Sequence, residues 1–267
     1  MSPKPLWSEL AVIERRLARA SHLRLASDFD GTLARIVRLP AMAEVRPRAV
    51  HALRQIARLP RARVALVSGR RLTDLSRRAR VPGAFLAGLL GIETRASGLR
   101  SQRIHLRRGQ RIPRALLVEL ERWCDAFPGA WVEPKGWSAA VHYRALPARR
   151  IAAFGAGVRA LVRRHGETTE LAVAKKAFEV RPRGAPGKAA TIERWLGEPR
   201  KACLELFIGD DDLDEEAHAL VQSRGGVGIL VGRRPSRARY RLSDPDQVAR
   251  FLEWLEDRWR ARVRRTS

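Results

Sequence analysis

Five short apolar runs punctuate the chain, at 23–29, 64–68, 84–88, 204–208 and 227–231, and they end at Gly, Asp or Ser. Helical periodicity follows at 46–58, 72–80, 188–196 and 213–222. Strand alternating with helix at this spacing predicts a Rossmann-like α/β core, a parallel sheet covered on both faces. In such sheets ligands bind at the carboxyl ends of strands, where the chain turns into the next helix. The polar residues at those ends therefore carry the chemical information.

The middle of the chain has a different pattern. A helix is expected at 114–126 after Pro113, then strands at 131–133 and 138–143 joined by Pro134-Lys135-Gly136-Trp137, a hairpin signal. A second helix is expected at 148–165, weakened by Gly155 and Gly157, and two more short strands at 170–174 and 178–181. This amounts to a smaller α+β domain inserted into the core, with expected boundaries 1–108 (core), 109–180 (insert) and 181–267 (core). A last helix at 246–263 puts Val248, Phe251, Leu252, Leu255 and Trp259 on one stripe and is expected to dock on the core.

Composition narrows the class. The 267 residues, 45% of them hydrophobic and with seven Trp, are enough for one large domain or two lobes with a proper core. No apolar stretch approaches the ~20 residues of a membrane span. The segment 1–20 is amphipathic, with Glu9, Glu14, Arg15, Arg16 and Arg19, and lacks the apolar centre of a secretory signal. Cys124 and Cys203 have no metal-ligand spacing. A cytoplasmic globular protein is expected. The formal net charge of +25 raises nucleic-acid binding as a possibility. The arginines are dispersed from Arg15 to Arg265, however, and no nucleic-acid signature accompanies them, so no nucleic-acid partner is expected.

Against this basic background two acidic clusters stand at strand ends. The first run leads into Ser27-Asp28-Phe29-Asp30-Gly31-Thr32. Alternation lets Asp28 and Asp30 face one way while Phe29 points to the core. Two carboxylates so close repel unless a cation lies between them or one keeps a proton. That suits a metal clamp, a nucleophile beside a general acid, or both; capping of the following turn is the structural alternative. The fourth run leads into Gly209-Asp210-Asp211-Asp212-Leu213-Asp214-Glu215-Glu216, where six of the chain's 28 acids fall within seven residues. Asp214, Glu215 and Glu216 fit a helix's first turn; Asp210 and Asp211 come too early for that. If both runs share one sheet, Asp28, Asp30, Asp210 and Asp211 converge on one rim, a donor set that suits Mg²⁺. Ser68-Gly69-Arg70 offers that rim a hydroxyl, backbone N–H groups and a guanidinium for phosphoryl oxygens, though Ser there also caps helices. Lys188, one of six lysines, stands before a helix in Gly184-Ala185-Pro186-Gly187-Lys188, which is not a Walker A loop.

Taken in order, Asp28-Phe-Asp-Gly-Thr32, Ser68-Gly-Arg70, Lys188 and Gly209-Asp-Asp211 resemble the four motifs of the haloacid dehalogenase superfamily, and Asp30 points to its phosphatase branch. More narrowly, 132–144 (Val-Glu-Pro-Lys-Gly-Trp-Ser-Ala-Ala-Val-His-Tyr-Arg), 178–184, 209–215 and 238–245 resemble the trehalose-6-phosphate phosphatase family, with the insert in the place of its cap. The resemblance implies an Mg²⁺-dependent hydrolysis of trehalose 6-phosphate. Asp28 is the implied nucleophile, forming an aspartyl-phosphate, and Asp30 the implied proton donor and acceptor. Ser68 and Lys188 would hold phosphoryl oxygens, with Thr32 and Arg70 also binding substrate. Asp28, the Asp30 carbonyl and Asp210 would take the metal, with Asp211 close by. Glu133, Lys135, His142, Arg144 and Glu179 would meet the sugar; on residues alone, the four from 133 to 144 also fit an ordinary half-buried hairpin. Three positions depart from the family pattern: Leu90 stands where a His is common, the Lys-Gly pair becomes Gly187-Lys188-Ala189, and Leu213 replaces Thr. Leu90 leaves room for a different sugar phosphate as substrate.

Overall fold

The computed structural model describes residues 2–37 and 42–265. In chain order its elements are β1 (Lys4–Pro5), α1 (Leu10–Arg19), β2 (His22–Ser27), α2 (Pro47–Arg58), β3 (Ala62–Val67), α3 (Leu72–Ala79), β4 (Phe85–Gly88), β5 (Glu93–Arg95) and β6 (Arg103–Ile104). Then come α4 (Arg114–Asp125), β7 (Trp131–Pro134), β8 (Ala139–His142), α5 (Ala148–Arg164), β9 (Thr169–Ala174) and β10 (Ala177–Pro182). The chain finishes with α6 (Lys188–Leu196), β11 (Cys203–Gly209), α7 (Glu215–Ser223), β12 (Val227–Val231), β13 (Tyr240–Leu242) and α8 (Pro245–Arg264).

Contacts divide the chain into a larger unit, Met1–Arg103 with Gly187–Ser267, and a smaller one, Ile104–Pro186. The insert thus runs from 104 to 186 where 109 to 180 was expected. Pairing explains the extension: β10 continues to Pro182 opposite Thr169, Arg183 N–H bonds Thr168 O at 2.8 Å, and Gln110 donates to Arg183 O at 2.6 Å.

The main sheet has the order β1-β13-β12-β11-β2-β3-β4-β5-β6. Pairing is parallel from β1 through β4, and β5 returns antiparallel to β4. The run-to-strand expectation holds because the central strands are apolar on both faces. Leu23, Leu25, Leu204, Leu206 and Ile208 join residues of α1, α2, α3 and α8 in one buried cluster. Ala26, Phe207 and Ala65 point the other way, onto Ile192 and Trp195 of α6 and Ala217 and Val221 of α7. Helix α8 starts where Asp244 accepts the N–H groups of Asp246 and Gln247, both at 2.9 Å, with Pro245 in the first turn.

The smaller unit is the antiparallel sheet β7-β8-β10-β9 with α4 and α5. Ala139, Val141, Phe178 and Val180 meet Leu116, Leu120, Phe154 and Val158 in its core. Gly155 and Gly157 do not break α5. A Cβ at Gly157 would overlap the indole of Trp123, whose Nε1 donates to Phe154 O at 3.1 Å, so the missing side chain is what lets α4 approach.

Candidate active site

Strands β11, β2, β3 and β4 are parallel neighbours, with Ile208 level with Ser27, Ser27 with Leu66, and Val67 with Ala87. Their carboxyl ends therefore form one rim. The residues that leave the strands there are Asp210, Asp28, Ser68 and Leu89.

Asp28 is fixed at both backbone atoms: its N–H donates to Ile208 O at 2.8 Å and its carbonyl accepts from Ser27 Oγ at 2.7 Å. Gly31 then turns the chain at φ 84°, and a Cβ there would overlap the Asp210 carboxylate. Only glycine allows that carboxylate to lie against this turn. Ser68 is buried; its Oγ accepts Arg70 N–H at 3.2 Å, which leaves the hydroxyl proton to donate. Lys188 opens α6, which is anchored to the rim by Thr191 Oγ1 donating to Leu90 O at 3.1 Å. Its buried ammonium bridges Asp28 Oδ1 at 2.6 Å and Asp214 Oδ1 at 2.7 Å.

Asp214 is the residue that sequence reasoning placed elsewhere. It is fully buried, and its Oδ2 accepts the N–H groups of Asp210 and Asp211 at 3.0 and 2.9 Å. Asp28, Asp210 and Asp214 each bring an oxygen within 4.8 Å of the others. Asp211, expected beside the metal, is not one of this trio. Its side chain accepts Asp212 N–H and caps the short 3₁₀ turn Asp212–Asp214, and that turn swings Asp214 back under the rim. Asp214 precedes α7 rather than lying in its first turn, and the helix-dipole explanation concealed its return to the rim.

The Asp30 side chain lies outside this trio. Arg70 grips it with two bonds, Nε to Oδ2 at 2.7 Å and Nη2 to Oδ1 at 2.6 Å. The same guanidinium reaches Asp74 at 2.6 Å and lies 5.3 Å from the Phe29 ring centre. Arg70, expected to bind substrate, is paired here with two carboxylates of its own chain. Thr32 Oγ1 is buried and has no hydrogen-bond partner among the described residues.

Charge in this site is unbalanced. Burial drives the Asp28 carboxyl well above its ordinary range, against the pull of Lys188 and with help from Asp214 and Asp210. Burial alone would lower the Lys188 ammonium, but Asp214 and Asp28 together hold it above its ordinary value. Fully ionised, the three buried carboxylates would exceed the one ammonium by two negative charges. Hard oxygen donors with that surplus fit a divalent cation such as Mg²⁺.

In the smaller unit, four of the five expected sugar-side residues form one network. Lys135 Nζ bonds Glu179 Oε1 at 2.8 Å and lies 4.0 Å from Glu133 Oε2, which is 2.8 Å from His142 Nε2. Glu133 and Glu179 sit on either side of Ala140 across the sheet, which puts them on one face. Trp131 stacks on His142 with ring centres 4.2 Å apart. Arg144, the fifth, is exposed in the turn after β8.

Residues 26–246 match the family model described as trehalose-phosphatase. The chain belongs to that family. It is 33% identical over 239 residues to the trehalose-phosphate phosphatase of Mycobacterium tuberculosis (strain H37Rv), covering 85% of this chain and 60% of that protein. With the trehalose-6-phosphate phosphatase of Escherichia coli K12 the identity is 31% over 229 residues, 85% of this chain and 84% of the relative. The chain thus spans most of the length of the bacterial K12 protein but only about three-fifths of the mycobacterial one. Among solved structures, the C-terminal domain of Candida albicans trehalose-6-phosphate phosphatase superposes with a TM-score of 0.86 at 19% identity, covering 96% of this chain and 98% of that one. That likeness confirms the expected fold, the haloacid dehalogenase type with a separate small antiparallel-sheet unit. No helix among the described residues is long and apolar enough to cross a membrane.

Proposed function

We propose that this trehalose-phosphatase family member is an Mg²⁺-dependent phosphatase that releases trehalose and phosphate from trehalose 6-phosphate through an aspartyl-phosphate. The observation that carries the reading is the Asp28 carboxyl group, buried at the rim, held 2.6 Å from Lys188 and within 4.8 Å of oxygens of Asp210 and Asp214. Asp28 and Asp210 would hold the cation with the Asp30 carbonyl; Asp214 has both oxygens engaged and serves as their anchor. When bound, the cation neutralises charge on the transferring phosphoryl group.

The chain's own residues divide the remaining work. Asp28 attacks phosphorus, forming an O–P bond as the bond from phosphorus to the sugar oxygen breaks. Asp30 gives its proton to that leaving oxygen. While it holds the proton, Asp30 keeps only one of its two Arg70 bonds in full, and the second re-forms as the proton leaves. Water then attacks phosphorus, returns a proton to Asp30, and frees Asp28. Ser68 and Lys188 hold the phosphoryl oxygens, as preorganised donors in a buried site do best, and the buried Thr32 hydroxyl supports the same group. In the smaller unit, Glu133, Lys135, His142 and Glu179, with Arg144 beside them in the chain, bind the sugar hydroxyls. Cys124 and Cys203 are free thiols, which suits a reducing cytoplasm.

The test is phosphate release from a panel of sugar phosphates with Mg²⁺ and with chelator. Trehalose 6-phosphate is expected to be the best substrate and chelator to stop turnover. Hydrolysis of another sugar phosphate but not of trehalose 6-phosphate would overturn the substrate and keep the chemistry.

A further inference from the structure

The loop after β12 sends Arg234 back to the acidic turn, where its guanidinium meets four acidic residues. Its Nε donates to Asp210 O at 3.3 Å and its Nη2 to Asp211 O at 2.6 Å. Nη1 lies 3.2 Å from Asp212 Oδ1, and Nη2 lies 2.7 Å from Glu215 Oε1. Glu215 is itself held, through Oε2, by the N–H of Arg237 at 2.6 Å. The Arg234 side chain therefore joins both ends of the segment 210–215, the segment that carries Asp210 and Asp214.

We propose that Arg234 is a positioning residue for divalent-cation binding: it locks the backbone of Asp210 and Asp211 so that the Asp210 carboxylate faces Asp28. The inference rests on the Mg²⁺ reading of the site given above. Its physical basis is that Asp28, Asp210 and Asp214 repel one another when no cation is bound. A short turn can relieve that repulsion by rotating the 210–211 peptide, and two carbonyls bound to one planar guanidinium resist the rotation. A fork anchored at both ends of the turn does this; a single surface charge does not.

Two effects of removing Arg234 oppose each other, which makes the proposal decidable. Loss of a nearby positive charge favours a cation at Asp210, whereas loss of the clamp disfavours it. The Coulomb effect of a partly exposed arginine is reduced by solvent screening, while removing groups that orient metal ligands weakens affinity about 10- to 100-fold. The clamp is expected to win.

The experiment is calorimetric titration of Mg²⁺ into the full chain, wild type against Arg234→Gln, Arg234→Lys and Arg237→Gln, the last an exposed arginine that contributes only its backbone to this cluster. Support is a Kd about tenfold or more weaker in Arg234→Gln, an intermediate value in Arg234→Lys, and an unchanged or tighter Kd in Arg237→Gln. The two Arg234 variants are expected to need more Mg²⁺ for half-maximal phosphate release and to keep kcat within a few-fold once saturated. Equal or tighter Mg²⁺ binding in Arg234→Gln overturns the positioning role while leaving the metal reading intact. A wild-type chain that binds no Mg²⁺ overturns both. Should Arg234→Gln fail to fold, Arg234→Lys decides: it keeps the charge and loses the fork, so wild-type affinity in it refutes the clamp.

Discussion

At the scale of single residues, Asp28 and Lys188 are partners with opposite sensitivities. Lys188 has two carboxylates against it, Asp28 and Asp214. Asp28→Asn therefore leaves the ammonium paired with Asp214 and removes a carboxyl whose ionised form burial already disfavours. The expected result is a melting temperature equal to or above that of the wild type, with phosphate release reduced about 10⁴-fold or more, as when a nucleophile is lost. Lys188→Met does the reverse to the fold. It strands two buried carboxylates, and breaking a buried pair from one side costs about 3–5 kcal/mol. Denaturant titration of the two metal-free variants checks the contrast. Equal destabilisation by both would mean that the ammonium is not what holds the carboxylates in place.

At the scale of elements, the turn after β2 shows how tightly backbone and site are coupled. Gly31 and Gly225 share a left-handed φ, 84° and 78°, but a Cβ at Gly31 meets the Asp210 carboxylate while one at Gly225 meets open space. Gly225→Ala is expected to cost about 1–2 kcal/mol of backbone strain. Gly31→Ala adds overpacking of about 1–3 kcal/mol and displaces Asp210, so Mg²⁺-dependent activity should fall with it. Denaturant titration and phosphate release on the pair separate strain from collision. The central strands and the main helices could be read from the chain because their apolar runs are buried on both faces, a pattern that local sequence records directly. Strands β1, β5, β6 and β13 could not: two or three residues long, they lie at the two margins of the sheet, exist through pairing with their neighbours and have no period of their own. The site divides in the same way. Asp28, Ser68 and Asp210 were legible because strand ends fix them, and Lys188 because it stands at the start of a helix. Asp30 to Arg70 spans 40 positions and Arg234 to Asp211 spans 23, and no local pattern encodes such pairings. Leu213, a departure from the family motif, lies within the short turn that carries Asp214 into the cluster.

For the whole molecule, an excess of 25 positive charges makes acid the direction of vulnerability, since each protonated carboxylate raises the net charge and, where it is paired, strands its cation. One buried group adds a separable contribution. His218 in α7 is fully buried beside Phe207, ring centres 4.9 Å apart, and neither ring nitrogen has a hydrogen-bond partner among the described residues. Burial lowers its imidazole to about 4, against the partial support of Asp214 and Glu215 and with further lowering from Arg234 and Lys188. The folded state thus refuses a proton that the unfolded chain accepts near its ordinary value of 6.5. Stability from this group is complete above pH ~6.5 and declines as the pH falls towards ~4, where the folded imidazole finally protonates. A shift of that size corresponds to about 3 kcal/mol. His218→Leu keeps the apolar packing on Phe207 and cannot titrate. The measurement is the denaturant stability of both proteins, metal-free, from pH 7.5 down to the limit of solubility. The variant is expected to lose less than the wild type below pH ~6.5, with the gap widening towards pH ~4. Parallel curves through that window would show that the imidazole takes up its proton inside the fold and that its burial is not what weakens the molecule in acid.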